Sequence, residues 1–289
     1  MNRPQIAWTA IPEVQVRMNM RVSGRPDMGW HVYCLSFLNA PLLGASRMLV
    51  LGRDSTWLEQ DLLRRNVFAR CDVIGLPETA LESATTTGSD RRMRYTTADL
   101  TTIRLPRSMY DAVWCDSTLC RIADLEHVTR QIARSLKPDG VLFAHEYVGA
   151  ARDAIGRVQR EAIEAAFSLI PLRYRYPPLS DARPLETVEL PGSEGFPEKE
   201  PGTVSSASIL AVLRRHFDVV RCRAVGGSLL RFLLRGIAGN FRTEDSLSMA
   251  VLDTLFGIED VLIDSGQLGS DFALIVATPK PTSTARSSR

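Results

Sequence analysis

The sequence predicts a doubly wound α/β domain around a seven-stranded, mostly parallel sheet. Three observations carry this reading. Short, continuously apolar runs recur along the chain, which is how a strand reads when helices cover both of its faces. Between residues 44 and 150 these runs alternate with helical segments at intervals of roughly twenty to thirty residues, the rhythm of right-handed βαβ units. The chain has 289 residues, 45% hydrophobic and 24% charged, which suits a soluble domain with a sizeable core.

Taken in order, residues 1–43 contain no strong strand. From Met28 to Leu43 the apolar residues Trp30, Val32, Leu35, Phe37 and Leu38 fall at helical spacing, so this segment reads as a helical cap. Arg47–Gly52 is the first strand, and Trp57–Asn66 follows with helical periodicity. Cys71–Gly75 is the second strand, and Pro77–Ala84 suits a helix with proline in its first turn. Arg94–Asp99 and Tyr110–Cys115 are the third and fourth strands. Leu125–Leu136 is an amphipathic helix stopped by Lys137-Pro-Asp-Gly140, and Val141–His145 is the fifth strand. These elements define a core over residues 44–150.

Residues 151–278 read as lid or insertion segments and closing strands of the same domain. Ala151–Leu169 and Val204–Arg215 suit helices, Phe217–Val225 and Asp271–Thr278 suit strands, and 227–266 reads as mostly helical. The Pro- and Gly-rich stretch 171–203 is too long for a plain connector and reads as a substrate lid or a mobile loop. Residues 279–289 form a polar tail with the composition of a disordered end.

Composition excludes several classes. A net charge of +2 gives no electrostatic case for nucleic acid or an anionic membrane. No apolar run reaches the roughly 18 residues a membrane span needs, since Ser228–Phe241 is broken by Arg231 and Arg235. The N-terminus lacks a secretory apolar segment, which points to the cytoplasm. The five cysteines show no CxxC spacing, and His31, His127, His145 and His216 form no metal motif, so no metal is expected.

The central block resembles the class I S-adenosylmethionine (SAM)-dependent methyltransferases over roughly residues 45–150. Leu49-Val-Leu-Gly52 stands where the family's nucleotide loop begins, and Thr97-Ala-Asp99-Leu100 is similar to its acidic turn after the third strand. Tyr110-Asp111-Ala-Val-Trp114 resembles the fourth motif, and Leu136-Lys-Pro-Asp-Gly140 with Val-Leu-Phe is the most specific match. The resemblance implies a Rossmann-like transferase fold with a C-terminal antiparallel hairpin and a SAM site at Gly52, Asp54, Gly75 and Asp99, the last facing adenine.

The sequence departs from the family at that site. The family loop is G-x-G-x-G, whereas Gly52-Arg53-Asp54-Ser55-Thr56 keeps only the first glycine. Asp54 adds negative charge near the expected SAM carboxylate, Thr56 a β-branched group, and Trp57 a ring able to fill ligand space. Gly75 stands where the family has the ribose-binding acid, with Glu78 three residues on. Together these losses amount to about 3–4 kcal/mol, or two to three orders of magnitude in affinity. The expectation is therefore weak or absent SAM binding in a non-methylating homologue or pseudoenzyme with a small-molecule pocket. The alternative is an active small-molecule methyltransferase with an atypical cofactor loop.

Candidate catalytic residues follow the fourth and fifth strands, where doubly wound folds hold their ligands: Asp116, His145, Glu146 and Tyr147. His145 with Glu146 could act as an acid/base pair, or Glu146 and Tyr147 could simply tie down edge loops. Arg231 and Arg235, spaced one helical turn apart, could grip an anion or lie solvated.

Overall fold

The computed structural model describes residues 6–38, 46–52, 57–75, 90–150, 155–177, 183–190 and 206–281. The seven strands are β1 (Arg47–Leu51), β2 (Arg70–Ile74), β3 (Met93–Thr96), β4 (Tyr110–Asp116), β5 (Leu136–Tyr147), β6 (Phe217–Gly226) and β7 (Phe272–Pro279). They form one sheet in the order β3-β2-β1-β4-β5-β7-β6. The pairings β3–β2, β2–β1, β1–β4 and β4–β5 are parallel. An antiparallel hairpin closes the sheet. The helices are α1 (Pro12–Ser23), α2 (Trp30–Cys34), α3 (Trp57–Arg64), α4 (Leu125–Ser135), α5 (Arg157–Ser168), α6 (Ile209–His216), α7 (Leu230–Leu233) and α8 (Ser246–Asp264).

The apolar runs became central strands for the expected reason. Met48 to Leu51 of β1 and Ala112 to Cys115 of β4 are fully buried, and Leu142 to Ala144 of β5 lie beside them. Trp114 fills the middle, with Phe143 at 4.4 Å and Phe68 edge-on at 6.5 Å between ring centroids. The start of the sheet is pinned by polar contacts. Asp111 accepts a hydrogen bond from the Arg47 amide at 2.8 Å and an ion pair from Lys137 at 2.8 Å. Asp72 takes Arg47 at 2.8 Å and the Tyr110 hydroxyl at 2.9 Å. The Tyr110-Asp111 phrase is thus a fastening of the sheet's amino edge.

The Lys-Pro-Asp-Gly phrase lies inside β5 as a bulge rather than between helix and strand. Tyr110 pairs with Leu136, yet Ala112 pairs with Val141, so residues 137–140 are looped out. A Cβ on Gly140 would stand 2.9 Å from the Tyr110 carbonyl oxygen, so the bulge packs too tightly for a side chain. The third strand ends at Thr96, and residues 97–99 are irregular backbone leading into a turn at 100–102. Helix α4 starts where Asp124 caps the His127 amide at 2.9 Å. The expected helix at Pro77–Ala84 and the tail from 282 lie outside the described residues.

The chain divides into two compact units. One comprises 31–148, 203–223 and 274–289 and holds β1 to β5. The other comprises 1–30, 149–202 and 224–273, with a core around α1, α5, α7 and α8 that includes Val14, Ile163, Phe167, Leu230 and Leu252. In this second unit Glu259 of α8 is fully buried beside Arg17 at 2.7 Å. Its carboxylate also accepts hydrogen bonds from the amides of Gly227, Leu229 and Leu230 at 3.2, 2.7 and 3.1 Å. Arg17 and Arg21 of α1 pair further with Asp260.

Candidate functional site

The carboxyl ends of β1, β2, β4 and β5 carry Gly52, Gly75, Asp116 and the run His145–Tyr147, and Asp99 follows β3. Asp116 closes β4 and accepts a hydrogen bond from Nδ1 of the nearly buried His145 at 2.9 Å. A carboxylate on Nδ1 fixes the imidazole's orientation and tautomer. The sequence paired His145 with Glu146, but neighbours on a strand point to opposite faces. Glu146 instead faces the turn after β4. Its carboxylate accepts hydrogen bonds from the amides of Thr118 (3.0 Å), Leu119 (2.9 Å) and Cys120 (3.1 Å). Full burial raises its pKa to about 7 against the pull of those three amides. This is the geometry of a loop anchor. Tyr147 is buried at the end of β5.

His31 is a neighbour that sequence reasoning missed. From the first residues of α2 it meets Asp61 of α3 at 3.1 Å and Trp57 edge-on at 5.0 Å. Burial lowers its pKa, opposed by the charges of Asp61 and, more weakly, Asp116. No spacing in the sequence signals this, because three separate segments meet there. Trp57 keeps 41% of its surface exposed.

At the ends of β1 and β2 the chain turns through two left-handed glycines, Gly52 at φ 60° and Gly75 at φ 89°. Leu100 lies against both. A Cβ on Gly52 would be 3.0 Å from its side chain, and one on Gly75 would be 3.1 Å away. The Thr118 methyl would stand only 2.4 Å from a Gly52 Cβ, while its hydroxyl donates to the Leu51 carbonyl at 2.8 Å. Asp99 is exposed, and its carboxylate accepts both the amide and the hydroxyl of Thr101, at 2.8 and 2.7 Å. These contacts hold its pKa below the ordinary carboxylate range. Arg53 to Thr56, including Asp54, and Glu78 lie outside the described residues.

The remaining candidates have structural partners. Cys115 and Cys120 are buried, and burial raises the Cys120 thiol to about 12, which removes the thiolate a nucleophile needs. His127 meets the Ile103 carbonyl at 2.8 Å, and His216 meets Glu126 at 2.6 Å. Helix α7 ends at Leu233, so Arg235 does not share a helical face with Arg231, whose guanidinium lies 3.5 Å from Asp271. Among the described residues no group of three or more His, Cys, Asp or Glu side chains could hold a metal ion. No described helix is long and apolar enough to cross a membrane.

A seven-stranded sheet in this order, with its polar residues gathered at the carboxyl edge, defines the class I methyltransferase fold. A family model described as "Methyltransferase domain" matches residues 52–144. Among solved structures it is similar to Haemonchus contortus phosphoethanolamine N-methyltransferase 2 in complex with SAM. That likeness has 15% identity and a TM-score of 0.50 over 97% of this chain and 59% of the other. It is also similar to a putative sarcosine dimethylglycine methyltransferase from Galdieria sulphuraria, at 15% identity and TM-score 0.49 over 87% and 84% of the two chains. A third likeness is to the cyclase SpnF, at 17% identity and TM-score 0.47 over 88% and 82%. No curated protein matches the sequence.

Proposed function

We propose that this protein is a non-methylating member of its family, which acts on or binds a small molecule at the carboxyl edge of the sheet and uses SAM weakly or not at all. One observation carries the reading: Leu100 packs against Gly52 and Gly75 together, at the two strand ends where a doubly wound fold receives its nucleotide. Gly75 offers no carboxylate to a ribose, and the Asp99 carboxylate is engaged by Thr101. These two features support a site that does not hold SAM in the family's manner. The chemistry left at the edge is the Asp116–His145 pair, in which Asp116 orients the imidazole and His145 moves a proton to or from the bound molecule.

The second reading, an active methyltransferase with an atypical loop, is supported by the left-handed backbone that both strand-end glycines keep. Isothermal titration of SAM separates the two. The first reading expects a dissociation constant near or above the millimolar range, and a low micromolar constant would overturn it. Leu100→Ala should gain affinity by opening space over both glycines. Gly75→Asp alone should not, because its backbone at φ 89° disfavours a side chain.

A further inference from the structure

At the opposite, amino edge of the sheet, within the first unit, there is a cavity of about 780 Å³ whose polar lining is basic. Arg107, Arg134, Lys137 and Lys280 line it together with Ser108, and prolines form much of the remaining wall. No Asp or Glu is among the described residues that line it. Asp111 takes Lys137 as an ion pair. Arg107, Arg134 and Lys280 have no carboxylate partner among the described residues.

The backbone that carries these cations is fixed. The amides of Ser108 and Met109 donate to the carbonyls of Arg134 and Ser135 at 3.0 and 2.8 Å, which ties the turn before β4 to the end of α4. On the other wall the Lys280 amide donates to the His216 carbonyl at 2.9 Å, and its ammonium donates to the Arg214 carbonyl at 2.6 Å. One ammonium carries three donors, so Lys280 retains capacity for a ligand.

We infer that this cavity binds a small polyanion through a chain of phosphate groups. Like charges held together on fixed backbone repel one another, and an anion in the cavity removes that repulsion. Arginine's planar fork matches phosphate oxygens two at a time, and the lysines add point charges. A single phosphate carries too little charge to balance the three cations without a carboxylate partner, whereas a di- or triphosphate carries enough. The site is independent of the function proposed above, because it lies at the other end of the strands.

The test is calorimetric titration of the full chain with inorganic triphosphate, with ATP, and with duplex DNA, at two salt concentrations. Saturable one-to-one triphosphate binding that weakens as salt rises is expected. Arg107→Ala with Arg134→Ala should weaken it by about tenfold or more. Both side chains are exposed, so the variant should fold, and a melting curve checks this. Arg157→Ala, on an exposed arginine whose ion-pair partner among the described residues is Glu161, should leave binding unchanged. ATP tighter than triphosphate would assign the phosphate chain to a nucleotide. Absence of saturable binding, an equal loss in the Arg157 variant, or DNA binding tighter than triphosphate would each overturn the inference.

Discussion

Single residues at the sheet's carboxyl edge divide into those that hold the edge and those able to do chemistry there. Glu146 holds it. A carboxyl whose pKa rises from 4.5 unfolded to about 7 folded binds its proton more tightly in the native state. Its contribution is fully present below pH 4.5 and is lost as pH climbs to about 7. Wild-type stability should therefore decline across that window, and Glu146→Gln, which mimics the protonated acid, should flatten the decline. Glu146→Ala leaves three amides without their acceptor and should cost about 1–3 kcal/mol below pH 4.5, a cost that shrinks as pH rises through the window. Denaturant midpoints measured through the window check both, and parallel slopes for wild type and Gln would show that Glu146 is not the titrating group. His145→Ala should instead lower turnover, once an activity is in hand, with little change in melting temperature.

Two elements each depend on one residue, the first through a buried charge and the second through close packing. Helix α8 presents Glu259 to Arg17 and to the amides of Gly227, Leu229 and Leu230, so one carboxylate joins α1, α8 and the turn into α7. Its removal leaves three amides without an acceptor and Arg17 with Asp260 alone, and Glu259→Ala should lose about 1–3 kcal/mol in urea unfolding. A loss below about 1 kcal/mol would mean that water replaces the carboxylate at little cost. The bulge in β5 is the second case. Gly140→Ala pushes a methyl to within 2.9 Å of the Tyr110 carbonyl and should destabilise by about 1–3 kcal/mol, measured by the same unfolding curve.

For the molecule as a whole, ligand binding shows as a stability shift. With a millimolar dissociation constant, 1 mM SAM adds about 0.4 kcal/mol; with a low micromolar one it adds about 4 kcal/mol. At about 2–4 °C per kcal/mol the melting temperature should rise by only about 1–2 °C, and a rise of about 10 °C would refute weak binding. Hydrogen exchange should be slowest in β1, β4 and β5, whose central residues are buried and paired on both sides.

The sequence by itself determined the sheet. Continuous apolar runs can be buried only between two helical layers, and the motif order of residues 45–150 pointed to the class I methyltransferase fold. It placed Asp116 and His145 at strand ends too, where such folds keep polar residues. It did not separate His145 from Glu146, since adjacency along the chain conceals that alternate side chains face opposite sides of a strand. Only the tertiary structure decided that Leu100 and Thr118 crowd the strand-end glycines and that His31 meets Asp61 near Asp116. The same holds for Arg107, Arg134 and Lys280, which the sequence spreads across a nearly neutral chain and the structure gathers in one cavity. Local pattern fixes which face of an element is buried, and long-range packing fixes which faces meet.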